Sequence, residues 1–133
     1  MKGDELKGRT KAFALRIMNL VEALPKTIKG RAVANQLVRS GTSVAANYRA
    51  ACRARSQAEF ISKIGTVEEE ADESALWLEL IIEGKLMRPG KVRALLSEAN
   101  ELVAIMAASY ISARKSSRRN NQHSAFRNQH STL

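Results

Sequence analysis

The residues best suited to a chemical role in this chain are arginines that lack acidic neighbours. The stretch 37–60 reads "LVRSGTSVAANYRAACRARSQAEF" and holds four arginines, with no acidic residue before Glu59. Guanidinium groups bind phosphates and carboxylates through charge-assisted hydrogen bonds. We therefore expect this stretch to meet an anionic partner, either nucleic-acid phosphates or the carboxylates of another helix.

The charge of the chain is segregated along the sequence, and its formal net value is +9. Residues 26–55 carry seven basic and no acidic groups, whereas residues 56–86 carry eight acidic and two basic groups. A cationic segment of this kind is typical of proteins that bind polyanions. The candidate nucleic-acid-binding residues are its seven cations: Lys26, Lys29, Arg31, Arg39, Arg49, Arg53 and Arg55.

Residues that could catalyse a reaction or hold a metal are scarce. Both histidines, His123 and His130, lie near the C-terminus, and Cys52 is the one cysteine. A single cysteine excludes an internal disulfide and a cysteine-based zinc cluster. The acidic run 68–73 lacks the Glu-x-x-His motifs of di-iron bundles, and the scattered glycines form no phosphate loop. We therefore expect no enzymatic activity and no cofactor.

Hydrophobic periodicity predicts four long helices. Apolar or small residues recur at alternating spacings of four and three, which is the pattern of one buried helix face. Asp4 is the expected N-cap of the first helix, and Ser56 with Glu59 forms a capping box at the third. Short connections between long helices favour an all-α, antiparallel up-down four-helix bundle. The predicted helices cover about 4–24, 29–54, 56–87 and 89–113.

The second predicted helix contains the small residues Ser40-Gly41-Thr42-Ser43. Val33, Leu37, Ser40 and Val44 keep the helical spacing through them, which favours one continuous helix in close contact with a neighbour. A break at Gly41, with the next helix starting at Thr42 or Ser43, is the alternative.

The C-terminal segment 114–133 lacks helical periodicity. It has five basic and no acidic residues, and the sequence "NQHS" occurs twice in it. Polar, charged composition of this kind is typical of disorder. We therefore predict a bundle domain at 1–113 and a disordered basic tail at 114–133.

No segment of the sequence predicts a membrane partner. The longest run without charge, Leu102–Ala113, has 12 residues, whereas a spanning helix needs about 20. The N-terminus lacks the apolar region of a signal peptide. We therefore expect a cytoplasmic protein that does not bind membranes.

The sequence between residues 37 and 82 resembles the four helix bundle protein family. That family includes proteins encoded in 23S ribosomal RNA intervening sequences and the accessory variability determinant of diversity-generating retroelements. The resemblance extends over about 5–113. The residues that carry it are Arg39, Ser40, Thr42 and Ser43, then Ala46-Asn47, then Ser56 with Glu59-Phe60, and "WLEL" at Trp77 to Leu80.

The resemblance implies an up-down bundle that assembles as a ring-like homopentamer without enzymatic activity. For the retroelement members it implies binding to RNA and to a reverse transcriptase through a basic surface. Two hypotheses follow for this chain. The first is a non-catalytic oligomeric bundle that binds structured RNA. The second is a protein assembly module whose segregated charges dock subunits, without nucleic-acid binding.

Overall fold

The chain folds into four α-helices joined by short connections. A computed structural model describes residues 3–131, with side chains over 3–127, and over these residues there is no strand. Consecutive helices pack against each other, and α1 also touches α4. The helices are α1 at Gly3–Glu22, α2 at Ile28–Cys52, α3 at Gln57–Glu83 and α4 at Pro89–Ser131.

Side-chain caps set the start of two helices. The Thr27 hydroxyl accepts a hydrogen bond of 3.1 Å from the Gly30 amide at the start of α2. At the start of α3, the Ser56 hydroxyl accepts one of 3.1 Å from the Glu59 amide, as the capping box predicts. The Glu59 carboxylate accepts from the Arg55 amide, one residue before the position expected in a capping box.

The prediction that Asp4 caps the first helix is wrong. Helix α1 already includes Gly3, so Asp4 lies inside its first turn. A carboxylate in that position still interacts favourably with the positive end of the helix dipole. The fourth helix does begin at Pro89, as predicted.

Neighbouring helices run antiparallel, which places the start of each beside the end of the one before. A methyl group at Gly3 would lie 3.8 Å from the Cys52 sulfur, so the start of α1 faces the end of α2. Nearer the other end of the bundle, later in α1 and earlier in α2, Ile17 contacts Gly41. The chain order and these contacts give the up-down arrangement of a four-helix bundle.

The predicted apolar faces form the core of this bundle. Residues at the alternating spacings of four and three are buried in all four helices, which confirms the pattern. Leu20, Asn47, Phe60 and Tyr110 are half-buried at its margin. The fully buried large side chains include Phe13, Ile17, Leu37, Val44, Ile64, Val67, Leu78, Ile81, Val92, Leu102 and Met106.

Small residues allow α2 to approach both of its neighbours closely. The hydroxyl oxygens of Ser40 and Ser74 lie 2.8 Å apart between α2 and α3, and both residues are buried. Gly41 packs against Ile17 of α1 on the other side. Helix α2 continues through these positions, so the prediction of one continuous helix is confirmed and the alternative break is wrong.

Helix α4 is long enough, and apolar enough in part, to cross a bilayer by length and composition alone. The candidate segment lies within 89–127. Its residues Leu102 and Met106 are fully buried against the rest of the bundle, whereas 22% of the apolar stretch as a whole is buried.

The structure corrects the prediction of a disordered tail for the part of it that is described. Helix α4 continues past Ala113, its last buried residue, as far as Ser131. No glycine or proline occurs in this segment, and a helix that already exists grows without a new nucleation cost. Residues 132–133 lie outside the described part of the chain.

An arginine clamp joins α1 to α4. The Arg9 guanidinium donates two hydrogen bonds to Glu98, of 2.8 and 2.7 Å, and a third of 2.7 Å to Glu101. The hydrogen bond from Arg9 lowers the pKa of the Glu98 carboxyl, outweighing the opposing effect of burial. The clamp therefore stabilises the seam most when Glu98 is ionised.

We expect the clamp to make stability depend on pH in the acidic range. Folding lowers the pKa of Glu98 below its ordinary value of 4.5. Ionised Glu98 therefore adds to the free energy of unfolding above pH 4.5, and this stabilisation is lost as the pH falls further. Glu98→Gln should lower the free energy of unfolding by about 1 kcal/mol at pH 7. The same substitution should also make the free energy of unfolding fall less steeply below pH 4.5. Chemical denaturation at several pH values measures both effects.

Glu79→Gln is the matched control, because Glu79 is exposed on α3. An equal loss of stability in the two variants at pH 7 would contradict a specific role for the clamp.

Candidate nucleic-acid interface

The seven predicted cations are all exposed, but they do not form one patch. Helix α2 is about 37 Å long at 1.5 Å per residue, and it separates them into groups. Arg49, Arg53 and Arg55 lie at its C-terminal end. Arg39 lies near its middle. Lys26, Lys29 and Arg31 lie around its N-terminal end, at the opposite end of the bundle.

Arg39 is held by acidic residues of α3. Its guanidinium donates a hydrogen bond of 2.9 Å to Glu70 and another to Glu73. The Trp77 indole also donates to Glu73, at 3.0 Å. The hydrogen bond from Trp77 lowers the pKa of the Glu73 carboxyl most, and Arg39 lowers it further. Arg39 therefore meets carboxylates of a neighbouring helix, which is one of the two roles expected for the basic residues.

The C-terminal group of cations lies beside two lysines of α1. Because α1 and α2 are antiparallel, Lys7 and Lys11 flank the same depression as Arg49. This depression has a volume of about 310 Å³, and Ala45 and Ala46 complete its lining.

A second depression continues the first toward α3. It has a volume of about 490 Å³ and shares Ala46 and Arg49 with the first. We call the combined surface the basic groove. Its cations are Lys7, Lys11, Arg49, Arg53 and Arg55.

The basic groove combines cations with a lining of small side chains. Lys7 and Lys11 are four residues apart on α1, and Arg49 is four residues before Arg53, the C-cap residue of α2, so each pair lies on one side of its helix. Alanine side chains between them leave room for a bulky anionic group to approach. This arrangement suits an extended anion such as a phosphate backbone.

Acidic groups neutralise little of the basic groove. Lys7 forms an ion pair of 3.5 Å with Asp4, whose side chain is 97% exposed. Glu59 lines the second depression while its carboxylate accepts from the Arg55 amide. An exposed ion pair such as Lys7–Asp4 contributes about 0–1 kcal/mol and exchanges readily for a stronger partner. Among the side chains described, 3–127, none forms an ion pair with Lys11, Arg49 or Arg53.

Sequence reasoning missed Lys7 and Lys11. Both lie off the buried face of α1 and are four residues apart, which is a signal that the sequence contains. Their importance follows only from the antiparallel packing, which brings the start of α1 beside the end of α2.

Comparison with known proteins identifies a family and similar solved structures. A family model described as 23S rRNA-intervening sequence protein matches residues 5–108. A crystal structure of a protein with unknown function from the S23 ribosomal protein family of Bacteroides thetaiotaomicron VPI-5482 is similar, with a TM-score of 0.74. The two sequences are 32% identical, and the similarity covers 79% of this chain and 97% of that chain. No curated protein matches the sequence.

Proposed function

The chain belongs to the 23S rRNA-intervening sequence protein family, and we propose that it binds structured RNA without catalysing a reaction. The family assignment agrees with the resemblance noted in the sequence. The observation that carries the proposal is the basic groove, in which cations from two helices flank a lining of alanines. Family membership adds a link to ribosomal RNA through the description of the family.

The groove favours a folded RNA over an unpaired strand. Proteins that bind single strands stack bases on exposed aromatic rings. Tyr48, the aromatic residue of α2, is 5% exposed and belongs to the core. Duplex RNA is recognised mainly through its shape and its phosphates, which need cations and no aromatic surface.

Titration of an RNA hairpin against the full chain at increasing salt tests the proposal. In a plot of the logarithm of the association constant against the logarithm of salt concentration, five groove cations that each meet a phosphate contribute about four to five to the slope. An unpaired RNA of the same composition should bind more weakly. Absence of binding at low salt, or a slope near zero, would overturn the proposal.

We also propose that the bundle assembles into a ring-like homo-oligomer, with five chains as the family resemblance implies. Large apolar side chains on its surface support self-association: Leu15 and Met18 on α1, Leu76 and Leu80 on α3, and Ile111 on α4 are 40–54% exposed. Light scattering should give a mass of five times 14.7 kDa. A mass of one chain at micromolar concentration would overturn this proposal.

The alternative function is an assembly module that binds no nucleic acid. The contact of Arg39 with Glu70 and Glu73 supports it, because there the segregated charges join two helices. This function predicts that replacing Arg49, Arg53 and Arg55 changes the oligomeric state, while RNA binding is negligible in every variant.

A further inference from the structure

Helix α4 extends well beyond the bundle that it helps to form. Ala113 is its last buried residue, and the helix continues to Ser131. We call residues 114–131 the arm, which is about 27 Å long at 1.5 Å per residue. Side chains from Arg114 to Arg127 are exposed, apart from the half-buried Ser117. The family model ends at residue 108, so family membership does not account for the arm.

One side of the arm concentrates positive charge. Arg114 with Arg118, and Lys115 with Arg119, are pairs four residues apart, which puts all four cations within less than half of the helix circumference. Segment 114–133 contains no acidic residue. Phe126 is 57% exposed and lies on the same side as Lys115 and Arg119. The arm therefore presents a cationic face with an aromatic ring near its distal end.

The arm leaves the bundle at the end that carries the basic groove. The Gln57 side chain donates a hydrogen bond of 3.2 Å to the Ala113 carbonyl, which fixes the base of the arm against the start of α3. Arg53 and Arg55 lie on the connection between α2 and α3, only a few residues before Gln57. The cations of the arm and those of the groove are thus gathered at one end of the molecule.

We propose that the arm is a second RNA-contacting element, which binds the same RNA molecule as the basic groove. The inference rests on the RNA-binding function proposed above and extends its surface. A helix holds its cations at fixed spacing, so they meet phosphates with less ordering cost than those of a flexible segment.

Charge and position favour RNA over the acidic helix of a second copy as the partner of the arm. A partner that contacts arm and groove together must carry negative charge over an extended length, as a phosphate backbone does. Two of the acidic residues of α3, Glu70 and Glu73, are already bound by Arg39 of the same chain.

Neutralising the arm in the full chain tests the proposal. The variant carries Arg114→Gln, Lys115→Gln, Arg118→Gln and Arg119→Gln, and the probe is an RNA hairpin. If two of the four cations contact phosphates at a time, affinity at 0.15 M salt should fall about thirtyfold and the salt slope by about two. Unchanged affinity and slope would overturn the proposal.

A second pair of variants separates a helical arm from a merely charged tail. Replacing Ser116 and Ser117 by glycines weakens the helix at its base, whereas replacing both by alanines strengthens it, and neither change alters the charge. We expect the glycine variant to bind the hairpin several-fold more weakly than the alanine variant. Equal affinities would show that the helical form of the arm is irrelevant and would overturn the proposal in this form.

Comparison with a groove variant, Lys7→Gln with Lys11→Gln and Arg49→Gln, separates failure of the arm from failure of the proposed function. If only the groove variant binds RNA more weakly, the arm does not contact RNA, and the proposed RNA-binding function still holds. If only the arm variant binds RNA more weakly, the basic groove is not the RNA-binding site. If the arm variant changes the mass of the oligomer and not RNA affinity, the arm docks onto another copy, which also overturns the proposal.

Discussion

Replacing Lys7, Lys11 and Arg49 together by glutamine should weaken binding of an RNA hairpin about a hundredfold at 0.15 M salt. Each phosphate contact contributes about 0.9 to the salt slope, so three lost contacts lower it by between two and three units. The three side chains line one depression but come from two helices. Their loss therefore removes both sides of the basic groove at once. Fluorescence anisotropy at four or more salt concentrations measures affinity and slope together.

The matched control removes the same charge from the opposite end of the bundle. Lys26, Lys29 and Arg31 are exposed, and their replacement by glutamine also lowers the net charge by three. A long-range effect of total charge would weaken RNA binding equally in both variants. We expect the control to stay within about threefold of the unaltered chain, since cations far from the site act only through this screened field. Equal weakening would contradict a localised interface.

Replacing Gly41 by alanine should lower the free energy of unfolding by about 1–2 kcal/mol. Alanine in place of glycine normally stabilises a helix by about 1 kcal/mol. At Gly41, however, the added methyl carbon would lie 2.4 Å from Cδ1 and 3.1 Å from Cγ2 of Ile17. A rotation of the Ile17 side chain could move Cδ1 away, but Cγ2 would stay close to the new methyl carbon. Because Ile17 is fully buried, it has little space into which to move. Overpacking of this kind costs about 1–3 kcal/mol and exceeds the gain in helix propensity.

Gly8→Ala provides the opposite result in the same protein. Nothing lies within 4 Å of a methyl group added at Gly8, which is exposed in the second turn of α1. We expect this variant to gain about 0.5–1 kcal/mol, the ordinary effect of replacing glycine in an exposed helix. Urea denaturation measures both. Stabilisation by both substitutions would contradict the close contact between α1 and α2 at Gly41.

Much of the fold follows from the sequence because the core pattern is regular. Buried residues at alternating spacings of four and three identify the inner face of each helix, and Ser40 continues that spacing through the small residues of α2. The pattern also predicts a close helix contact there, which the structure locates at Ile17 and Ser74. Helix ends were less predictable, since the capping role of Thr27 depends on the path of the α1–α2 connection.

The candidate site follows from the sequence only in part, because it combines residues that are distant along the chain. The cations of segment 26–55 were evident from the sequence, but the structure divides them into three groups, and Arg39 binds acidic residues of α3. Lys7 and Lys11 join the site through the packing of α1 on α2. The polar composition after Ala113 predicted disorder, whereas the structure continues α4 through it.

Chemical acetylation of lysines, with and without an RNA hairpin, tests the proposed interface most directly. It reads the site from the unaltered full chain, and mass spectrometry reports each lysine separately. RNA in the basic groove should protect Lys7 and Lys11 and leave Lys26 and Lys29, at the opposite end of the bundle, as reactive as before. Protection of Lys26 and Lys29, with Lys7 and Lys11 still fully reactive, would contradict the assignment of the groove as the RNA-binding surface.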